Sequence, residues 1–422
     1  MEDAKEKKSV KISLKQLLII IFIIIAIILL IFLIEIATTN KNISRHKLNK
    51  IEKETGISID TSKEPNEEIE IVPTLLDELK LNGAWCGTFQ LVWNDMQNEV
   101  IKKDIIFNKQ IKIVENLNEQ TFTTKHLSDS YYYKKFGEKS PELKEEIQKG
   151  IKDKFNEESE ILDSINWEKS TSKDIKKYVF YAMLYREFNF ENLFDTFNNG
   201  KFYGMSDTYD DIKYFGIDKN SNSKLYSQVD VLYYNSKSDF AVILNTKEND
   251  ELILVRGDNG ATYTDIYNNM VEKTEQFDGK IEFGENDFLK VPNLKFNVLK
   301  EYDELKTDGT DRDKFFKDYQ ENDCHIENAI QTIKMELDES GGKVKSEALI
   351  DMQVDTTALA EKKEEVEKRY FYFDHGFTIF IKEQGKDVPY FAANIDNIEL
   401  FQEKDPVTNM NGEVYPYSEE NI

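Results

Sequence analysis

The stretch ESGGKVKSEALIDM, residues 339–352, carries the pattern that decides the fold. Small or apolar residues alternate in it with charged or larger ones, at Gly342, Val344, Ser346, Ala348, Ile350 and Met352. A period of two predicts a β-strand with one buried face and one face in water. The following residues, QVDTTALAEKKEEVEKR (353–369), are polar and predict an exposed loop. The fold has to explain why a well-patterned strand runs directly into a long polar segment.

The periodicity of this stretch leaves two other interpretations open. The residues could form an ordinary sheet strand that never changes place. They could also form a helix, because Val344, Ala348, Leu349 and Met352 share one face at helical spacing. The rest of the chain has to decide between these interpretations.

A segment near the N-terminus has the composition of a membrane span. Leu17–Ile34 contains no charged residue and is about as long as the shortest helix that crosses a bilayer. No small-residue cleavage site follows it. We therefore expect a single-pass signal anchor at 16–37, between a short cytoplasmic tail at 1–15 and a stalk at 38–73. Lysines flank the span on both sides, so the charge bias is weak, and we expect the folded part, 74–422, on the extracytoplasmic side of the cell membrane.

Composition and charge exclude several classes of function. The chain has 80 Asp and Glu against 55 Lys and Arg, which gives a formal net charge of −25. Such a field repels phosphate backbones, so we expect no nucleic-acid partner. With 27 Phe and 21 Tyr, the chain can form a large core. The sequence has no zinc ligand pattern and no phosphate-binding glycine loop, so we expect no metal and no cofactor.

The order of the predicted elements indicates the fold class. Helical spacing appears early, in GTFQLVWNDMQNEVI (87–101) and in SPELKEEIQKGIKDKF (140–155), where Ser140 and Pro141 suit a helix start. Strand-like runs follow them: YVFYAMLY (178–185), QVDVLYY (228–234), DFAVILN (239–245) and ELILVRG (251–257). Helices first and strands later, without regular alternation, indicate an α+β domain with mixed, mostly antiparallel sheets.

The C-terminal half of the chain resembles the serpin family, with matching segments in the same order over about residues 140–398. YFYFDHGFTIFI (370–381) is similar to the family's most diagnostic strand pair, and its matching residues are Phe373, Asp374, His375 and Phe377. Upstream, serpins have a strand that ends in acids and a glycine, followed by a run of small residues. The same place here holds Glu339, Ser340, Gly341 and Gly342.

This resemblance implies a serpin-like fold with an exposed reactive loop. In the family a protease cuts the loop, whose N-terminal half then inserts as a new strand into the main sheet and traps the protease. The implied hinge residues are Glu339, Ser340, Gly341, Gly342, Val344, Ser346 and Ala348. The family's spacing from Glu339 places the scissile bond between Asp355 and Thr356. Because this loop is longer than usual, Lys362, Lys363 or another loop residue could equally precede the scissile bond.

Departures from the family pattern keep a second class of function open. Gly376 replaces the family's proline and Phe190 its tryptophan, and the short distance between early helices and first strands implies a reduced helical lobe. The first interpretation is an inhibitor that traps a protease, whose identity the sequence does not give. The alternative is a non-inhibitory serpin-fold binding or scaffold module at the cell surface.

The two cysteines, Cys86 and Cys324, allow further interpretations. Outside the cell they could form one disulfide. Cys86 could also be a nucleophile with His126, His325 or His375 as its base, in a cysteine-dependent enzyme. A lone cysteine beside a tryptophan is more often a core residue. We therefore expect no catalytic residue and no enzyme.

Overall fold

Few helices and many strands make up the chain in the computed structural model, which describes residues 68–159, 161–169, 176–257, 260–346 and 368–402. These residues belong to one unit within Asp60–Ile422. The α-helices are α1 (Thr88–Asp95), α2 (Lys112–Asn118), α3 (Pro141–Phe155) and α4 (Tyr263–Gln276). A π-helical segment, Met96–Ile101, continues α1, and 3₁₀ turns lie at Thr124–His126, Asp129–Tyr131, Ile161–Asp163, Ser223–Gln228, Arg312–Lys314 and Ile398–Phe401.

Within the described ranges, no helix is long and apolar enough to cross a membrane. The predicted anchor around Leu17–Ile34, the tail at 1–15 and most of the stalk at 38–73 lie outside those ranges. The predictions for these segments therefore stay predictions.

The strands account for most of the described structure. In chain order they are β1 (Glu70–Ile71), β2 (Gly83–Cys86), β3 (Tyr132–Glu138), β4 (Tyr178–Asn189), β5 (Asp195–Tyr203), β6 (Thr208–Ile217), β7 (Val229–Ser236), β8 (Asp239–Asn245), β9 (Asp250–Arg256), β10 (Asp287–Pro292), β11 (Leu294–Glu301), β12 (Phe316–Lys317), β13 (Asp323–Cys324), β14 (Ile330–Asp338), β15 (Gly341–Ser346), β16 (Arg369–Tyr372), β17 (Phe377–Glu383) and β18 (Phe391–Ile395).

These strands form three larger sheets and one small hairpin. The main sheet has the order β11-β14-β15-β4-β3 and is antiparallel throughout. A seven-stranded sheet has the order β1-β2-β18-β17-β9-β8-β7, and a four-stranded sheet has the order β16-β10-β6-β5. Only the pairs β1–β2 and β10–β16 in these sheets are parallel. The expected α+β class with mixed sheets and few helices is therefore confirmed.

Helix α3 shows how local sequence sets the outer layer of the main sheet. The Ser140 hydroxyl accepts a hydrogen bond from the Leu143 backbone N–H, and Pro141 occupies the first turn, where no N–H is needed. The helix ends at Asn156, whose left-handed backbone (φ 57°) is tolerated by asparagine. Its apolar stripe, Leu143, Ile147 and Ile151, packs with Tyr181 and Met183 of β4 in a small cluster. The sequence therefore places α3 against this sheet through one face.

A single large core joins the sheets on their inner side. It contains buried residues from the main sheet, such as Val344 and Met335, and from the seven-stranded sheet, such as Leu254 and Phe380. The inner strands β9, β17 and β18 of the seven-stranded sheet are buried on both faces, which accounts for their apolar runs. Because Val344 belongs to this core, β15, the middle strand of the main sheet, packs on the principal core.

Candidate functional site

The turn between β14 and β15 directs the chain back into the main sheet. The Ser340 backbone N–H and hydroxyl both donate to the Asp338 carboxylate, at 2.8 and 2.6 Å. Gly341 has φ +146°, and a Cβ there would lie 2.2 Å from the backbone oxygen of Phe188. Only glycine fits this position. Residues Glu339–Ser346, called the hinge segment below, thus begin with a turn that their sequence specifies.

Strand β15 lies in the middle of the main sheet, between β14 and β4. Val344 is opposite Met335 of β14 and Arg186 of β4 in this register. The strand is antiparallel to both neighbours, so β14 and β4 run parallel to each other. This is the position that the resemblance gives to an inserted reactive loop. The hinge segment was expected to be exposed before cleavage, and that expectation is wrong for Gly341–Ser346, because these residues already form a sheet strand in the intact chain.

The inner face of β15 joins the core. Val344 is fully buried, as its alternation with charged neighbours predicts. Beside it, the Arg186 guanidinium contacts the Asp250 carboxylate at 2.5 Å and stacks over the Tyr131 ring at 4.2 Å. The Tyr390 hydroxyl donates to the other oxygen of Asp250 at 2.9 Å. An ion pair in which both carboxylate oxygens accept hydrogen bonds therefore connects the main sheet to the seven-stranded sheet beneath the hinge segment.

The outer face of β15 carries two lysines, and both are paired. Lys343 Nζ donates to Glu187 Oε1 of β4 at 2.8 Å and lies 4.9 Å from the centre of the Tyr185 ring. Burial lowers the pKa of Lys343, but hydrogen bonds with Glu187 and Tyr185 outweigh burial and raise it above its ordinary value. Lys345, only 2% exposed, pairs with Glu157 just after α3. The face predicted to lie in water is therefore partly covered, because Lys345 lies beneath the end of α3 and pairs with Glu157.

The slot, the space between β4 and β14, continues beyond the end of β15. Here β4 extends from Met183 to Tyr178, and β14 extends from Ile333 to Ile330. No described strand lies between these two segments. A cleft occupies this part of the slot, lined by Phe180, Tyr181, Ala182, Ile330, Gln331, Thr332, Ile161 and the α1 residues Thr88, Phe89 and Val92. Among the described residues, the hinge segment thus occupies one end of the slot.

Several contacts hold Arg369, the last residue of the predicted loop. Arg369 begins β16, and its guanidinium contacts both oxygens of Asp287 at 2.8 and 2.9 Å. It also donates to the backbone oxygens of Lys280 and Glu282. The remaining hinge residue Ala348 and the candidate scissile bond Asp355–Thr356 lie outside the described residues, as do Lys362 and Lys363.

The segment Phe373–Phe377 connects the four-stranded and seven-stranded sheets. Phe373 and Phe377 are buried, with ring centres 5.3 Å apart. Arg256 donates to Asp374 at 3.0 Å, and the Asp374 backbone oxygen accepts from Tyr203 at 2.8 Å. His375 is half exposed; its Nδ1 lies 2.9 Å from Oδ1 of Asp374, and its ring centre lies 4.9 Å from that of Tyr203. Phe373–Phe377 thus joins the two sheets through ring packing and an ion pair.

Both cysteines are free thiols, so the disulfide allowed by the sequence is not formed. Cys86 lies in β2 with no exposed surface, whereas Cys324 lies in the separate β12–β13 hairpin. A substrate cannot reach Cys86 without displacement of the core around it, which argues against a cysteine nucleophile. Among the described residues, no group of three or more His, Cys, Asp or Glu side chains is arranged to hold a metal ion.

Sequence reasoning missed the partners of the hinge segment. The sequence does not distinguish these partners, Glu157, Arg186, Glu187 and Asp250, from other charged residues. They belong to distant segments and meet β15 only through sheet register and core packing. The opposite charges of Lys343 and Glu187 would have been a usable signal once the pairing of β15 with β4 was known.

Comparisons with known proteins agree with the sheet architecture. No protein-family model matches the sequence, and no curated protein matches it. A solved structure of human thyroxine-binding globulin complexed with thyroxine is 12% identical, covers 75% of this chain and 92% of its own, and has a TM-score of 0.40. Serpin48 from the insect Tenebrio molitor is 12% identical over 76% of this chain and 92% of its own, with a TM-score of 0.39.

A cleaved form of Serpin 42Da is also similar, at 11% identity over 67% of this chain and 79% of its own, with a TM-score of 0.38. Such identities concern the fold alone, and at these TM-scores no detail of those structures is transferred to this chain. The fold is serpin-like and divergent, as the sequence resemblance implies.

Proposed function

We propose that the chain is a serpin-like protease trap whose reactive loop completes its insertion into the main sheet after cleavage. The observation that carries this proposal is the position of β15, which lies between β4 and β14 and is antiparallel to both. Because β15 is already paired with β4 and β14, it sets the register for the residues that follow it in the chain. Further insertion of the loop therefore needs no new nucleation of strand pairing.

The sequence after β15 fits the part of the slot that lies beyond β15. Continuing the register of β15 by two residues places Ala348 opposite Ala182 and Gln331, on the inner face that Val344 already occupies. Ile350 and Met352 follow on that face; β4 begins at Tyr178, opposite Met352, whereas β14 begins at Ile330, opposite Leu349. The small and apolar alternation therefore reaches the end of the slot on the β4 side and extends past β14. Insertion would bury small and apolar side chains between β4 and β14.

A protease test decides between a trap and a binding module. The full chain would be incubated with serine and cysteine proteases, including one that prefers Asp, because of Asp355, and one that prefers Lys, because of Lys362 and Lys363. A covalent complex that survives boiling in detergent supports the trap. Cleavage within the loop without any such complex supports the non-inhibitory binding module instead.

A matched pair of variants sharpens this test. Ala348→Arg places a charge on the face that must be buried, where an unpaired charge is prohibitive, so this variant should be cut but should not trap. Glu347→Arg changes the neighbouring residue on the outer face and should still trap. Equal trapping by both variants would contradict insertion past Ser346.

We also propose that Leu17–Ile34 anchors the chain in the cell membrane, with the serpin-like part outside the cytoplasm. The support is the uncharged length of this run. Protease added to intact cells should degrade the part after residue 74. Protection of that part until the cells are lysed would contradict export.

A further inference from the structure

Two buried carboxylates face each other in the seven-stranded sheet. Asp250 of β9 is directly opposite Glu383 of β17 in their antiparallel register. Side chains in directly facing positions lie on the same side of a sheet, with their Cβ atoms about 4.5–5.5 Å apart. Asp250 is 2% exposed and Glu383 is 8% exposed. Little water therefore screens the repulsion between the two carboxylates, and their charge has to be compensated by neighbouring groups.

One cation compensates this carboxylate pair. Arg186 of β4 donates from Nε to Oδ2 of Asp250 at 2.6 Å, and its guanidinium lies over the Tyr131 ring. Glu383 accepts hydrogen bonds from the backbone N–H of Ser128 at 2.7 Å and from the Ser128 hydroxyl, which are neutral donors. Within the described ranges, two carboxylates thus share one guanidinium. The cluster has a net charge of −1 when both carboxylates are ionised, and the uptake of one proton makes it neutral.

Two tyrosines complete the surroundings of the pair, and neither adds a charge. The Tyr390 hydroxyl donates to Oδ1 of Asp250 at 2.9 Å, and the Tyr131 ring centre lies 6.0 Å from that of Tyr390. Burial raises the pKa of both phenols, so both stay neutral. Burial also raises the pKa of Asp250 to about 6; the contacts with Arg186 and Tyr390 lower it, and the charge of Glu383 raises it. A proton can therefore bind to this cluster above the usual pH range of an aspartate.

We propose that Asp250 and Glu383 form a proton-binding site between the two sheets, which takes up one proton in mild acid and weakens the Asp250–Arg186 ion pair. At neutral pH this ion pair joins β4 of the main sheet to β9 of the seven-stranded sheet. In mild acid the cluster becomes neutral, and the charge of the guanidinium is balanced by Glu383 instead. The site depends on the register of β9 with β17 and does not rest on the proposed function.

The pKa of Asp250 sets the direction of the expected pH dependence. Its folded value of about 6 is above the ordinary value of 3.8, which the unfolded chain has. The stabilisation that this proton gives is therefore complete below about pH 3.8 and is lost as the pH rises through about 6. Asp250→Asn removes the titrating group. The unfolding constant of the wild type, divided by that of Asp250→Asn, should rise by up to about tenfold per pH unit between about pH 4 and 6 and be constant above about pH 7.

Urea unfolding of the full chain at a series of pH values measures this ratio of unfolding constants. A ratio that does not change between about pH 4 and 7 overturns the proposal. The matched background is Glu251→Gln, which removes the next carboxylate along β9, paired with Lys382 at 2.6 Å. In that background Asp250→Asn should produce the same pH dependence. Its disappearance there would show that the proton does not belong to the Asp250–Glu383 pair.

The variant Glu383→Gln tests whether the two carboxyls share the proton, and it keeps the proposal testable if Asp250→Asn folds poorly. Removal of the facing charge should make Asp250 take up its proton at a lower pH. The infrared band of protonated carboxyl groups, followed as the full chain is acidified, should therefore appear at a lower pH in Glu383→Gln than in the wild type. An equal onset in both proteins contradicts a shared site.

A double-mutant cycle tests the weakening of the ion pair. Arg186→Met, Asp250→Asn and the double variant give the coupling between the two residues as a ratio of unfolding constants. Because protonation removes the charge of Asp250, this coupling should be at least about fivefold smaller at about pH 5 than at about pH 7.5. Equal coupling at the two pH values would refute the proposed effect of the proton on the ion pair.

Discussion

Val344 gives the sharpest test of whether the hinge segment is a sheet strand in the uncut chain. The side chain is fully buried and belongs to the principal core, between positions held by Met335 and Arg186. Val344→Ala removes two methyl groups, each worth about 0.8 kcal/mol of transfer free energy, and leaves a small cavity. We therefore expect the free energy of unfolding to fall by about 2 kcal/mol. In an exposed loop the same change would cost less than about 0.5 kcal/mol.

Urea unfolding of the uncut protein measures this difference. Val271→Ala is the matched control, because Val271 lies in α4 with 39% of its surface exposed and loses the same two methyl groups. The control should change stability by less than about 0.5 kcal/mol, since alanine is also the better helix former. Both variants should keep the wild-type slope of free energy against urea concentration, which depends on the surface exposed by unfolding.

The result that refutes the reasoning is a Val344→Ala variant as stable as Val271→Ala. The hinge segment would then be outside the sheet before cleavage, and β15 would not lie between β4 and β14 in the uncut chain. A loss near 2 kcal/mol only after cleavage of the loop would point the same way, because burial of Val344 would then be a consequence of cleavage.

Three further changes test the surroundings of β15. Arg186→Met leaves the Asp250 carboxylate buried without its cation and should lower the free energy of unfolding by about 3–5 kcal/mol. The double variant with Asp250→Asn should recover part of this lost stability. If it recovers none, loss of the ion pair is not the cause of the destabilisation. Burial raises the pKa of Glu187, but its hydrogen bond from Lys343 outweighs burial and holds the pKa below its ordinary value of 4.5. The stabilisation by Glu187 is therefore present above about pH 4.5 and is lost as the pH falls through the lowered pKa. The urea midpoints of the wild type and Glu187→Gln should differ by a constant amount at neutral pH and converge in acid. A difference in midpoint that persists to about pH 2 would contradict this. Cys86→Ser should cost about 1–3 kcal/mol, because it buries a hydroxyl, while leaving any trapping or binding intact; a folded variant without that activity would revive the cysteine enzyme.

Local sequence predicted the elements that depend on local chemistry. The cap at Ser140 and the apolar stripe from Leu143 to Ile151 gave α3 its start and its buried face, and the structure has the helix at Pro141–Phe155. The period of two from Gly342 predicted a strand with Val344 inward, and that strand is present. Helical spacing in the same stretch failed as an alternative because the sheet offers β15 two hydrogen-bonded edges, which a helix would leave without partners.

What the sequence by itself determined is the type of each element and which of its faces is apolar, because capping, turn geometry and periodicity act over a few residues. It could not determine that the hinge segment already occupies the slot, since that depends on whether β4 and β14 stand apart to admit it. Nor could it show that Lys343 and Lys345 meet Glu187 and Glu157, which are more than 150 positions away along the chain. Tertiary structure alone decided these contacts, because only the register of the assembled sheet and the layer of α3 over it bring distant charges within reach of one another.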